Sequence, residues 1–162
     1  MYQSNDYLKL TKEYLKNLSY HEQALKNIKA DTKALEYELS SITLPGVQYS
    51  DEPRGGSPEL SSVEKQAYVR DLKRQELTRL NVSAVRLEQH IHKVHDSVAM
   101  LPEEERVVID LMYGEKLTAV VIGEQIGLCE RSVHRRLRSA IGNLAVMLFG
   151  PVAAEDISFV RS

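Results

Sequence analysis

The sequence predicts an all-α chain in two parts: a long N-terminal helical hairpin or coiled-coil arm over residues 1–100, then a compact unit of three helices over 101–150, with a tail at 151–162. Three observations carry that expectation. Apolar residues recur every three or four positions through two long segments that contain neither Gly nor Pro, the period of a helix with one sticky stripe. The one long stretch rich in turn formers, Pro45 to Pro58 (PGVQYSDEPRGGSP), lies between those segments and reads as a solvated connection. After Leu101, capping residues and glycines follow in quick succession, as in a bundle of short helices.

In the first segment, about 5–44, the spacing threads Tyr7, Thr11, Tyr14, Leu18, His21, Leu25, Ile28, Thr32, Leu35, Leu39 and Ile42 on a seven-residue repeat. Within it, Ser19-Tyr20-His21-Glu22 has the form of a capping box, in which a Ser hydroxyl takes the amide three residues on and the Glu reaches back. A break of the first helix near Ser19 is therefore expected. The second segment, about 60–100, opens on a similar box at Ser61 and Glu64 and carries Leu77, Leu80, Ala84, Leu87, Ile91, Val94, Val98 and Leu101 at the same spacing. Val69 and Leu72 fall out of that phase, which reads as a local shift in the repeat. The segments match in length, so the seam of Leu18, Leu25, Ile28, Leu35, Leu39, Ile42, Leu80, Leu87, Ile91 and Val94 either closes within one chain as an antiparallel hairpin or pairs with a second copy. A homodimer or higher homo-oligomer is the favoured expectation.

A chain of 162 residues, 43% hydrophobic and 27% charged, can bury a sizeable core. Its 21 Lys and Arg against 23 Asp and Glu leave a net charge of −2, so any cationic surface must be local. The single cysteine, Cys129, excludes an intramolecular disulfide framework and a cysteine zinc cage. The first residues lack the layout of a signal peptide, and no apolar run reaches the ~18 to 20 residues of a membrane span, so a cytoplasmic chain with no membrane partner is expected.

The last third carries the motif. Leu101-Pro102-Glu103-Glu104-Glu105 sets Pro and three acids at the positive end of a helix, Val107, Val108, Leu111 and Met112 form its apolar side, and Gly114 stops it. Thr118 can cap a short helix holding Val121, Ile122 and Ile126, which Gly127 ends. A final helix runs from near Glu130 to Phe149, with Val133, Leu137, Ala140, Ile141 and Leu144 as its apolar face. Leu117 to Val133 has helix-turn-helix spacing: Gly123 lets two helices approach, the turn glycine follows four residues later, and Val133 is the apolar plug. The final helix holds Arg131, His134, Arg135, Arg136 and Arg138, with no acid from Arg131 to Phe149. The guanidinium fork suits guanine edges and phosphates, so the positive charge missing overall is concentrated here.

Leu101 to Leu144 resembles the promoter-reading region four of bacterial sigma factors. LPEEERVVIDLMYGEKLT is similar to that family's helix before the motif, and VHRRLRSAIGNL resembles its recognition helix. The LP-acid start, the LT cap, the turn glycine and an R-x-A-I-like tail occur in register. The sigma region that melts promoter DNA has no counterpart in the first hundred residues, so a complete sigma factor is not expected. The whole layout, two helical segments split by a GG-S-P-E connection and then this motif, is similar to phage late-gene transcriptional activators of the RinA and ArpU type. The resemblance implies base-reading positions at Glu130, Arg131 and Arg135 with His134 beside them, and backbone-gripping positions at Thr118, Ser132, Arg136 and Arg138. It also implies double-stranded DNA and RNA polymerase as partners, within a bacterial host cell at its nucleoid. Two positions depart from the pattern. Cys129 stands where Ser or Thr is usual, and a thiol caps poorly, at a cost of about 1 kcal/mol. Val120 and Val121 stand where acids are common, leaving an apolar surface for another chain or for the N-terminal helices.

Other candidates read as structure. His90, His92 and His95 near Glu88 and Asp96 have no HExxH spacing, and His92 and His95 lie beside the seam, so no metal site is expected. Gly55-Gly56-Ser57 lacks the Gly-Lys-Ser ending of a phosphate loop and reads as a hinge or linker. Tyr7 and Tyr14 read as core or interface, and Cys129 as packing at a turn. Everything before Leu101 reads as helical packing without a nucleophile, so neither an enzyme nor a cofactor is expected. Two function classes remain: a sequence-specific DNA-binding activator whose arm dimerises or touches polymerase, and a coiled-coil adaptor that binds polymerase or a phage protein without reading DNA.

Overall fold

Two helices of 38 residues, α1 (Ser4–Ser41) and α2 (Ser62–Ala99), precede three short ones, α3 (Glu103–Ile109), α4 (Ala119–Ile126) and α5 (Glu130–Phe149). The structure, a computed structural model, describes residues 4–41 and 62–153. The connection at 45–58, its Gly55-Gly56-Ser57, the cap at Ser61, the seam residue Ile42 and the tail past 153 lie outside the described residues. Of the described residues, 91% are helical and none is in a strand, so the chain is all-α.

The seven-residue seam of α1 is visible in its burial. Tyr7, Thr11, Tyr14, Leu18, His21, Leu25, Ile28, Thr32, Leu35 and Leu39 are each buried or half-buried. Its two hydroxyls are satisfied within the helix: Thr11 donates to the Tyr7 carbonyl and Thr32 to the Ile28 carbonyl, both at 2.8 Å. Such back-bonding lets a polar residue sit in an apolar stripe without an orphaned donor.

Two expectations are corrected. α1 does not break at Ser19. The Glu22 carboxylate, instead of reaching back to cap, takes His95 Nε2 of α2 at 2.8 Å, and Leu15 and Leu18 pack into the core just before Ser19. An unbroken helix keeps those contacts in register, and tertiary packing outweighs a cap worth about 1 kcal/mol. Nor does the repeat shift in α2. The seam continues in phase with half-buried Arg70 and Lys73 while Val69 and Leu72 stay exposed. Long charged side chains cover apolar neighbours with their methylene stems, and Lys73 ends on Glu38 at 2.7 Å.

The described residues form two compact units, one of residues 4–22 with 89–153, the other of 23–41 with 62–88. In the second, Lys29 pairs with Glu88 at 2.6 Å and Glu38 with Lys73 at 2.7 Å. Partners recede along α2 as α1 advances, so the helices form an antiparallel hairpin. In the first unit, one apolar cluster joins Leu15, Val94, Leu101, Ile109, Ala140, Ile141, Leu144 and Leu148, bringing α1, α2, α3 and α5 together. Tyr7 and Tyr14 flank it, their rings 5.2 and 5.8 Å from Phe149, and Lys93 donates to the Leu148 carbonyl at the negative end of α5. A second cluster of Val108, Ala119, Ile122 and Val133 belongs to the short helices. After α3 the backbone makes one wider turn, Asp110–Gly114, closed by the Glu115 amide on the Asp110 carbonyl at 3.1 Å. Gly114 ends it as the sequence suggests, but the left-handed residue is Lys116, at φ 59°.

Candidate nucleic-acid interface

The turn between α4 and α5 is built from glycine and valine. Thr118 caps α4, its hydroxyl accepting from the Val121 amide at 3.5 Å. Gly127 ends the helix in the left-handed region at φ 70°, where glycine carries no Cβ penalty. The Gly123 carbonyl then takes the Leu128 amide at 2.8 Å. A Cβ on Gly123 would stand 2.5 Å from the Leu128 carbonyl oxygen, so only glycine permits this approach of turn to helix. Ile122 and Val133 are fully buried across the turn, each worth roughly 1.5 to 3 kcal/mol.

Cys129 sits at the N-cap of α5 without a side-chain bond to the helix amides. Its Sγ lies 3.2 Å from the Ser132 hydroxyl instead. The Ser132 hydroxyl holds the exposed thiol's pKa below its ordinary value.

α5 divides by face. Val133, Ala140, Ile141, Leu144 and Leu148 turn inward, while Arg131, His134, Arg135 and Arg138 are exposed or half-exposed and line, with Ser132, one shallow depression of about 370 Å³. Five of the implied DNA-contacting side chains are thus brought together on one strip around that depression, with Glu130 beginning the helix and its carboxylate 3.5 Å from His134 Nε2. Arg136 is not on that strip. It lies about 100° further round the helix than Arg135, beyond the edge of the strip, where it meets Glu104 of α3 at 2.7 Å and is only 29% exposed. Thr118 and Ser132 are occupied locally, by the α4 cap and by Cys129. Beside that pair of helices, Asn143 donates to Glu105 at 2.8 Å, a further tie between α5 and α3.

Val120 and Val121 are 50% and 38% exposed, so α4 turns them to solvent rather than to the N-terminal helices. His90, which sequence gave no role, has its ring edge-on to Tyr14 at 4.4 Å.

One neighbour of the arginine strip was not anticipated. The first turns of α1 run beside α5, and Leu8 and Lys12 line a groove of about 190 Å³ with His134, Leu137, Arg138 and Ile141. The available signal was the spacing of Lys9, Lys12 and Lys16 on one face of a helix.

No helix among the described residues is long and apolar enough to cross a membrane. No curated protein and no solved structure matches the chain. Residues 98–145, under a third of the chain, match the family model described as Sigma-70, region 4, so the C-terminal unit is a sigma-region-four-like helix-turn-helix, a DNA-binding regulatory module.

Proposed function

We propose that the chain is a sequence-specific, DNA-binding transcriptional regulator, a phage or prophage late-gene activator of the RinA and ArpU type working at the nucleoid of a bacterial cell. The observation that carries the reading is the strip of Arg131, His134, Arg135 and Arg138 on the outward face of α5, in a unit whose fold is that of a DNA-binding module. Arg131 and Arg135, with Glu130 and His134, read base edges in the major groove; Arg138, Arg136, Thr118 and Ser132 grip the backbone. Residues 1–100 serve as the dimerisation and interaction arm. In the hairpin unit Leu25, Ile28, Leu35, Leu39, Leu77, Leu80 and Leu87 are half-buried, none of them fully, as a seam is when two helices alone cover it. A second copy completes that burial and pairs two half-sites.

Selection of bound duplexes from a random pool by the full chain, followed by gel shift of the recovered sequence, tests the reading. A recovered consensus with two half-sites and a dimer mass by light scattering are expected. Recovery of unenriched sequence would overturn sequence-specific reading, and a monomer at micromolar concentration would overturn the dimer.

A second reading, an adaptor that binds RNA polymerase without reading DNA, is favoured by the exposed Val120 and Val121 of α4. Capture of core polymerase by the chain in DNA-free buffer, lost on Val120→Asp, would support it.

A further inference from the structure

We infer that the DNA-facing surface continues from α5 onto α1, with Lys12 as a phosphate-contacting residue. This rests on the reading that α5 binds duplex DNA. The first turns of α1 belong to the same compact unit as α5 and are pinned to it by Tyr7 and Tyr14 against Phe149. Leu8 and Leu15 pack with the α5 residues Ile141, Leu144 and Leu148. A lysine on the outer edge of those turns is therefore held beside the arginine strip by apolar packing. Lys12 occupies that edge: it is exposed, and it shares its groove with His134 and Arg138.

Its helical neighbours sharpen the choice. Three or four residues away stand Leu8, Lys9, Leu15 and Lys16, none an acid. Lys9 and Lys16 each have Glu13 at helix-pairing distance, four and three residues off, while Glu13 lies about 100° round the helix from Lys12. Lys12 also takes no part in the ion pairs among the described residues. A cation with no acid of its own, set beside His134 and Arg138 at the edge of the arginine strip, adds to a local positive field that a polyanion satisfies. Lysine suits phosphate as a point charge on a flexible stem and carries no base preference.

The test uses the full chain and fluorescence anisotropy on two 30-base-pair duplexes, one recovered from a random pool by the full chain and one of unrelated sequence, over a range of salt. Lys12→Ala weakens binding to both duplexes by the same factor and makes the slope of log K against log salt shallower by about 0.9 per chain. Lys12→Glu weakens both further. Arg135→Ala weakens the recovered duplex more than the unrelated one, and Lys33→Ala, in the other unit, changes neither. Alanine is the best helix former, so the melting curve of Lys12→Ala matches the wild type. If Arg135→Ala loses selectivity while Lys12→Ala keeps the wild-type slope, the α5 reading stands and the extension onto α1 is overturned. Tighter binding by Lys12→Ala overturns it too, making α1 an obstacle to DNA. If the wild-type chain binds neither duplex, the α5 reading itself falls.

Discussion

The Arg136 guanidinium lies 2.7 Å from the Glu104 carboxylate, linking α5 to the first turn of α3. A backbone-gripping role for Arg136 therefore requires it to exchange Glu104 for a phosphate. Glu104→Gln removes the competitor and should tighten DNA binding and steepen the salt slope by up to about 0.9 per chain. Exposed pairs contribute about 0 to 1 kcal/mol, so the melting temperature should barely move. An unchanged slope would leave Arg136 as a tie between helices and nothing more.

Arg131→Ala and Arg135→Ala should each remove about 1 to 3 kcal/mol of specific binding, the worth of a bidentate base contact. Both side chains project from the exposed face of α5, so folding stability should be close to wild type. Selection from a random duplex pool by each variant should return a consensus relaxed at particular bases. A wild-type consensus from both variants would remove them from the reading positions.

Gly123→Ala places a Cβ 2.5 Å from a backbone oxygen, not from a flexible side-chain tip. Relief requires the turn at Leu128 to open, whereas Val133, 3.6 Å from the same point, is in ordinary contact. A loss of about 1 to 3 kcal/mol is expected, as for overpacked cores, together with weakened DNA binding. Thermal denaturation followed by circular dichroism reads it, and a melting temperature at or above wild type would contradict the geometry.

Burial, then the nearby His21 and Lys93 charges, hold the His90 pKa below its ordinary value of 6.5. The folded chain binds this proton less well than the unfolded chain does. The contribution is therefore complete above about pH 6.5 and declines as pH drops through that value toward the lowered folded pKa. Melting temperature should fall between pH 7.5 and 5.5, and His90→Phe, which keeps a ring against Tyr14, should fall less. Equal pH dependence in the two proteins would discount His90.

A fragment starting at Leu101 loses Leu15 and Val94, which pack with Ile141, Leu144 and Leu148 of α5. Such a fragment should melt well below the full chain and bind a dye for exposed apolar surface. Rejoining residues 1–22 and 89–100 should restore the melt. A fragment as stable as the full chain would show that the N-terminal helices add no cover.

What sequence conveyed, and what it did not, follows the range of the interactions. Gly123, Gly127 and Val133 were legible because the turn is decided within about ten residues, by sterics that only glycine escapes. The α1 seam was legible because its period is local. The continuity of α1 through Ser19 was not, since Glu22 is claimed by His95, on another helix. Arg70 and Lys73 were passed over as seam residues because a polar label hides an apolar stem. Arg136 read as one more arginine of the strip, and its diversion to Glu104 depends on where α3 lies, which no spacing within α5 reveals. The nearness of Lys12 to α5 depends likewise on packing between helices, although its place on one face with Lys9 and Lys16 is local.

The division of α5 into inward valine, alanine and leucine and outward arginine and histidine has an evolutionary consequence. Substitutions among the outward residues leave the packing of Val133, Ala140 and Leu144 untouched, so surface chemistry can drift one residue at a time at a stability cost within about 0.5 kcal/mol. Gly123 has no such freedom, because every other side chain begins with the Cβ it excludes. Descendants of this chain can therefore acquire new ligand preferences by rewriting a few exposed letters of one helix while inheriting its turn unchanged.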